Sequence, residues 1–235
     1  MGTDDQSPSV AELLRGYIAS IGDLDDWDYF CEMHEWWADC DSRVEGDAEP
    51  LVVPSWMHDR TPNLSAFLGG ARRTMVVIDG EARWLLAHPL NGGERITALV
   101  APAVEPSGEL WAEHAALLSV FGGFVECGTE GAALANMAEA LTLTVAAVDM
   151  QPALHRFAEY GDRQEPLPPV AATLYPLAVE ANGSFVLCDR RSGAVYVATH
   201  DPDGELEPAS GVNGLYISPR WPSFAAWVDA TIPPM

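Results

Sequence analysis

Short apolar runs cut by glycine turns constrain this chain more than any other feature. The run Met75-Val76-Val77-Ile78 stops at Asp79-Gly80, and an apolar register resumes over residues 82–87. An Asp-Gly pair tolerates the two positive φ angles of a type I′ turn, so the spacing predicts a hairpin. A third strand, residues 96–101, follows the turn Asn91-Gly92-Gly93. Further along, residues 174–179, 185–188 and 194–199 read as three more short strands, joined by turns at Asn182-Gly183 and at residues 189–193. Connections this short join antiparallel neighbours, which predicts β-meanders and not a parallel sheet.

Helical periods lie between and around these runs. Ser9 is a suitable N-cap for residues 9–21, where Val10, Leu13, Leu14, Tyr17, Ile18 and Ile21 share one face, and Gly22 ends the pattern. Residues 25–41 divide into an acidic face of Asp28, Glu32, Glu35 and Asp39 and an apolar face of Trp27, Phe30, Cys31, His34, Trp37 and Ala38. Residues 42–50 have no apolar period and read as a loop. A stripe of Leu110, Trp111, His114, Leu117, Leu118 and Phe121 predicts a helix over 109–121, stopped by Gly122-Gly123. A strand at 124–127, a helix at 132–141, an alternating run at 142–148 and a helix opened by Pro152 and running to about residue 160 follow. The charged, proline-rich residues 161–169 and the acidic residues 201–207 read as loops. A last helix starts near Ser223, with Phe224, Trp227, Val228 and Ile232 on one face. The fold class is therefore α+β, an antiparallel sheet flanked by helices.

Charge narrows the function classes. Of the 235 residues, 35 are Asp or Glu and 12 are Lys or Arg, a net charge of −23, and no Lys occurs. Nucleic acids and anionic membranes are recognised through clustered cations, so neither is an expected partner. No apolar stretch approaches the roughly 20 residues of a membrane span, and residues 1–8 lack the basic and apolar regions of a secretory signal. The four cysteines, Cys31, Cys40, Cys127 and Cys188, are too scattered for a disulfide scaffold. A cytoplasmic location is the expectation.

The stretch from Leu110 to Val228 resembles the SUKH superfamily, named for yeast cell-wall-assembly regulators and rich in bacterial immunity proteins that neutralise toxins. Three landmarks carry the resemblance. Trp111-Ala-Glu-His114-Ala-Ala-Leu117-Leu-Ser-Val-Phe121-Gly-Gly123 is similar to the family's helix ending in a Gly-Gly pair before a strand. Tyr175 through Asn182-Gly-Ser-Phe185-Val-Leu-Cys188 to Gly193-Ala-Val195-Tyr is similar to its central meander. Ser223-Phe224-Ala-Ala-Trp227-Val228 is similar to its closing helix. The Pro-x-x-Tyr that often opens the Gly-Gly helix is replaced here by Trp111 and His114. The resemblance implies a SUKH-like α+β unit over residues 106–235. Residues 1–105 then form an N-terminal extension of helices and a β-hairpin, either a separate domain or part of the same one. The superfamily carries no catalytic motif, so the resemblance implies no active-site residue.

The residues themselves offer little catalytic chemistry. Cys31-x-x-His34 with Cys40 supplies zinc-type ligands but not a closed set of four, and it sits among Trp27, Phe30 and Trp37, which favours a core stripe over a metal site. Asp201-Pro-Asp203-Gly204-Glu205 lacks the distal ligands of a calcium loop. No Gly-x-Ser-x-Gly elbow occurs. Cys188 precedes Asp189-Arg190-Arg191, and a nearby Arg can lower a thiol pKa, but its alternation with Phe185 and Leu187 reads as a strand entering a turn. The absence of Lys excludes a P-loop and a pyridoxal phosphate enzyme. No cofactor, metal or catalytic residue is therefore expected.

Eleven carboxylates fall within residues 23–49, against the single Arg43. Two readings fit them: a solvated helix face with a charged loop, or a docking surface for a basic partner. On the second reading Asp28, Glu32, Glu35 and Asp39 steer the partner, and aromatic residues interleaved with the acids, such as Trp36 and Tyr29, anchor it. The expectation is a non-enzymatic binding module, an intracellular immunity protein that neutralises a basic toxin domain. The alternative is a hydrolase using carboxylates and His in a cleft between the N-terminal segment and the C-terminal sheet.

Overall fold

The hairpin turn forms as its dipeptide demands: Asp79 and Gly80 have φ of 49° and 82°, the two positive angles of a type I′ connection. The structure, a computed structural model, describes residues 42–90, 93–106, 108–127, 137–159, 169–180, 183–199, 202, 204–209 and 214–232. Strands β2 (Arg72–Ile78) and β3 (Glu81–Leu90) pair across that turn, and β4 (Gly93–Val100) adds to β3. Beyond them run β5 (Phe124–Cys127), β6 (Met137–Ala140), β7 (Leu174–Glu180), β8 (Phe185–Asp189), β9 (Val195–Ala198), β10 (Glu207–Pro208) and β11 (Leu215–Ile217). With β1 (Ser42–Pro50), the described strands make one antiparallel sheet in the order β1-β2-β3-β4-β5-β6-β7-β8-β9-β11-β10. The three C-terminal strands read from the sequence are neighbours, with Tyr175 opposite Cys188 and Val186 opposite Val197.

Helices α1 (Ser55–Arg60), α2 (Pro62–Gly70), α3 (Ala112–Leu118) and α6 (Phe224–Ala230) contribute to one large core on one face of the sheet. Two others, α4 (Leu143–Ala146) and α5 (Gln151–Glu159), lie between β6 and β7 in sequence. The large core joins residues from both sides of position 105, including Met57, Leu64, Phe67, Trp84 and Leu86 with Phe121, Tyr175, Phe224 and Trp227. The closing helix is capped by Ser223, whose Oγ accepts the Ala226 N–H, and it buries Phe224, Trp227 and Val228. It also caps α2 from 166 residues away. The Asn63 N–H donates to Asp229 Oδ1 at 2.6 Å, and Asn63 Nδ2 donates to the Asp229 carbonyl at 2.9 Å. Thr61, at the N-cap position of α2, makes no side-chain cap of its own.

The Gly122-Gly123 pair ends α3 for a reason more specific than helix termination. A Cβ on Gly122 would sit 2.2 Å from the Pro102 carbonyl oxygen, and one on Gly123, at φ 97°, would sit 2.5 Å from the Leu141 backbone. These glycines let two chain segments cross backbone to backbone, fixed by the bonds Gly122 N–H to Ala101 O and Ala101 N–H to Gly123 O.

Three sequence expectations are corrected. Residues 42–50 are not a loop but strand β1, bulged at Gly46 and paired with β2. The apolar alternation is missing because β1 is the outermost described strand, with Val44 and Ala48 half-buried and the other described side chains exposed. The helix expected over 132–141 gives way to strand β6 at Met137–Ala140, where pairing with β7 overrides the helix propensity of Met-Ala-Glu-Ala. The alternating run at 142–148 folds instead as α4. Leu141 turns the chain at φ 62°, and the Thr142 hydroxyl then caps α4 by accepting the Val145 N–H. The helices expected at 9–21 and 25–41 lie outside the described residues. Among the described residues, no helix is long and apolar enough to cross a membrane.

Candidate functional site

Among the described residues, a cluster of chemically versatile side chains lies where α3 meets β7 and β8. His114 enters it on the buried stripe of α3, Tyr175 and Cys188 come from the facing register pair of β7 and β8, and Phe224 closes it from α6. The His114 ring stacks on Tyr175, with centroids 5.7 Å apart and planes 7° apart, and lies 5.5 Å from the Phe224 ring. Its Nε2 is 3.0 Å from the Leu141 carbonyl and its Nδ1 is 3.1 Å from the Tyr175 hydroxyl. A carbonyl can only accept, so Nε2–H donates to Leu141, and Nδ1 accepts from the Tyr175 O–H. Tyr175 in turn accepts the Trp111 N–H at 3.3 Å. Every proton in this chain is assigned with His114 neutral.

Burial sets the ionisation states. It pushes His114 down to about 4 despite the bond to Leu141 and pushes the Cys188 thiol up to about 12. Burial also raises Tyr175 well above the ordinary phenol range. A nucleophilic cysteine needs a thiolate near neutral pH, whereas Cys188 is fully buried and holds its proton. Arg190 does not activate the thiol; its guanidinium lies over the Tyr175 ring, 5.7 Å from the centroid. Beyond Cys188 the chain enters the expected turn. Burial there disfavours charge on Asp189, but bonds from Ser192, Thr173 and the Arg191 N–H outweigh it and hold its pKa below the ordinary value.

His88 repeats the arrangement beneath α2. Its Nε2–H donates to the Phe67 carbonyl at 2.6 Å, its Nδ1 accepts from Thr97 Oγ1 at 2.7 Å, and its ring packs on Phe67. Burial lowers its pKa against the bond to Phe67. Both histidines therefore tie a helix to the sheet through uncharged, fully committed rings. Among the described residues, neither ring is bonded to a carboxylate. Glu113, next to His114 in sequence, instead accepts the Trp111 indole N–H at 3.2 Å and pairs with Arg60 at 3.4 Å.

The other notable arrangement is at the surface. Glu45, Asp47 and Glu49 are exposed along β1 and extend the acidic run of residues 23–41 onto the edge of the described sheet. Glu45 pairs with Arg43 at 2.8 Å and Glu49 with Arg73 at 2.7 Å, while Arg73 also covers the Trp84 ring at 4.2 Å. Exposed pairs of this kind contribute roughly 0–1 kcal/mol to stability each. Asp28, Glu32, Glu35, Trp36 and Asp39 lie outside the described residues, as do Cys31, His34 and Cys40. Among the described residues, no group of three or more His, Cys, Asp or Glu side chains could hold a metal ion.

Sequence reading placed His114 on an apolar stripe without finding its partners. The signal was a histidine at a core position of a helix, but its hydrogen-bond partners, the Leu141 carbonyl and the Tyr175 hydroxyl, lie 27 and 61 residues away. The acidic edge strand was missed because an edge strand carries little periodicity. Comparison with family models, with curated proteins and with solved structures finds no match to this chain.

Proposed function

We propose that this chain is a non-enzymatic protein-binding module of the SUKH type, an immunity protein that neutralises a basic toxin domain in the cytoplasm. The observation that carries the reading is the acidic edge. The run of eleven carboxylates within residues 23–49 ends on an exposed, outermost strand of the described sheet, where a partner can reach it. A toxin that attacks nucleic acid is itself basic, and complementary fields raise the association rate. The resemblance supports the same reading through the order helix, Gly-Gly, strand, meander and Ser-capped helix over residues 112–230. The hydrolase alternative draws no support from His88 and His114, whose ring nitrogens are committed to core hydrogen bonds.

The test is the association rate with a basic protein partner recovered by pull-down on the purified chain, measured at low and high salt. Two variants are compared with wild type: Glu32→Arg/Glu35→Arg/Asp39→Arg, and Glu45→Arg/Asp47→Arg on β1. Both are expected to associate more slowly at low salt, with the difference shrinking at high salt as the Debye length falls below roughly 8 Å. Unchanged rates at low salt remove this edge from the interface. Turnover of a small substrate by the purified chain overturns the binding reading itself.

A further inference from the structure

We draw no further inference here: the strongest candidate, the buried indole N–H of Trp227 on the core side of α6, has no hydrogen-bond partner among the described residues, but nothing in the structure shows a cavity or a ligand-binding group that it faces.

Discussion

Acid should weaken this protein through His114 in a defined pH window. In the folded chain the ring is neutral, with burial pushing its pKa from 6.5 down to about 4; in the unfolded chain it takes up a proton near 6.5. The unfolded state therefore binds more protons between those values, and stability rises with pH across them. The contribution is fully present above about pH 6.5, falls as the pH drops, and is exhausted near 4. At about 1.4 kcal/mol per pH unit for one proton, the window is worth about 3 kcal/mol. Tyr175 and Cys188, which face the ring from β7 and β8, stay protonated throughout it. His88 contributes in the same direction, whereas Asp189, whose pKa is held low, loses its contribution only at more acid pH. The assay is urea unfolding of wild type and His114→Gln from pH 7.5 to pH 4.5. The wild type is expected to be the more stable at neutral pH, with the difference narrowing by about 3 kcal/mol on acidification. A difference that stays constant across that range refutes the reasoning, because His114 would then bind its proton equally in both states. The nitrogen chemical shifts of the ring give an independent check, since the geometry requires the proton on Nε2.

Two further outcomes follow from the cap and the turns. Asp229→Ala removes the acceptor for the Asn63 N–H at the start of α2, and should lower the melting temperature by about 2–4 °C, equivalent to roughly 1 kcal/mol; calorimetry checks it, and an unchanged melting temperature removes the cap. Gly80→Ala, in an open turn, should cost about 1 kcal/mol for its positive φ alone, whereas Gly123→Ala also drives a Cβ into the Leu141 backbone and should cost roughly 2–4 kcal/mol. Equal losses in denaturant titrations of the two variants would contradict the backbone crossing.

What the sequence alone determined was local. Asp79-Gly80 dictates a type I′ hairpin because few other dipeptides tolerate two positive φ angles, Ser223 caps the last helix from its own position, and the stripes of 109–121 and 223–232 mark their buried faces by period. Neighbour relations among β7, β8 and β9 were equally legible, because short turns leave adjacent strands no alternative. Tertiary structure decided the rest. Strand β6 forms from helix-prone residues because β7 offers a ladder, and β1 is a strand because β2 pairs with it, although its own pattern is polar. His114, Tyr175 and Leu141 become one hydrogen-bonded chain, and Asp229 caps α2, only once residues up to 166 apart are brought together. Period and turn chemistry are written within a few residues, whereas strand pairing, capping across the fold and the pKa of a buried ring depend on neighbours that no local pattern names.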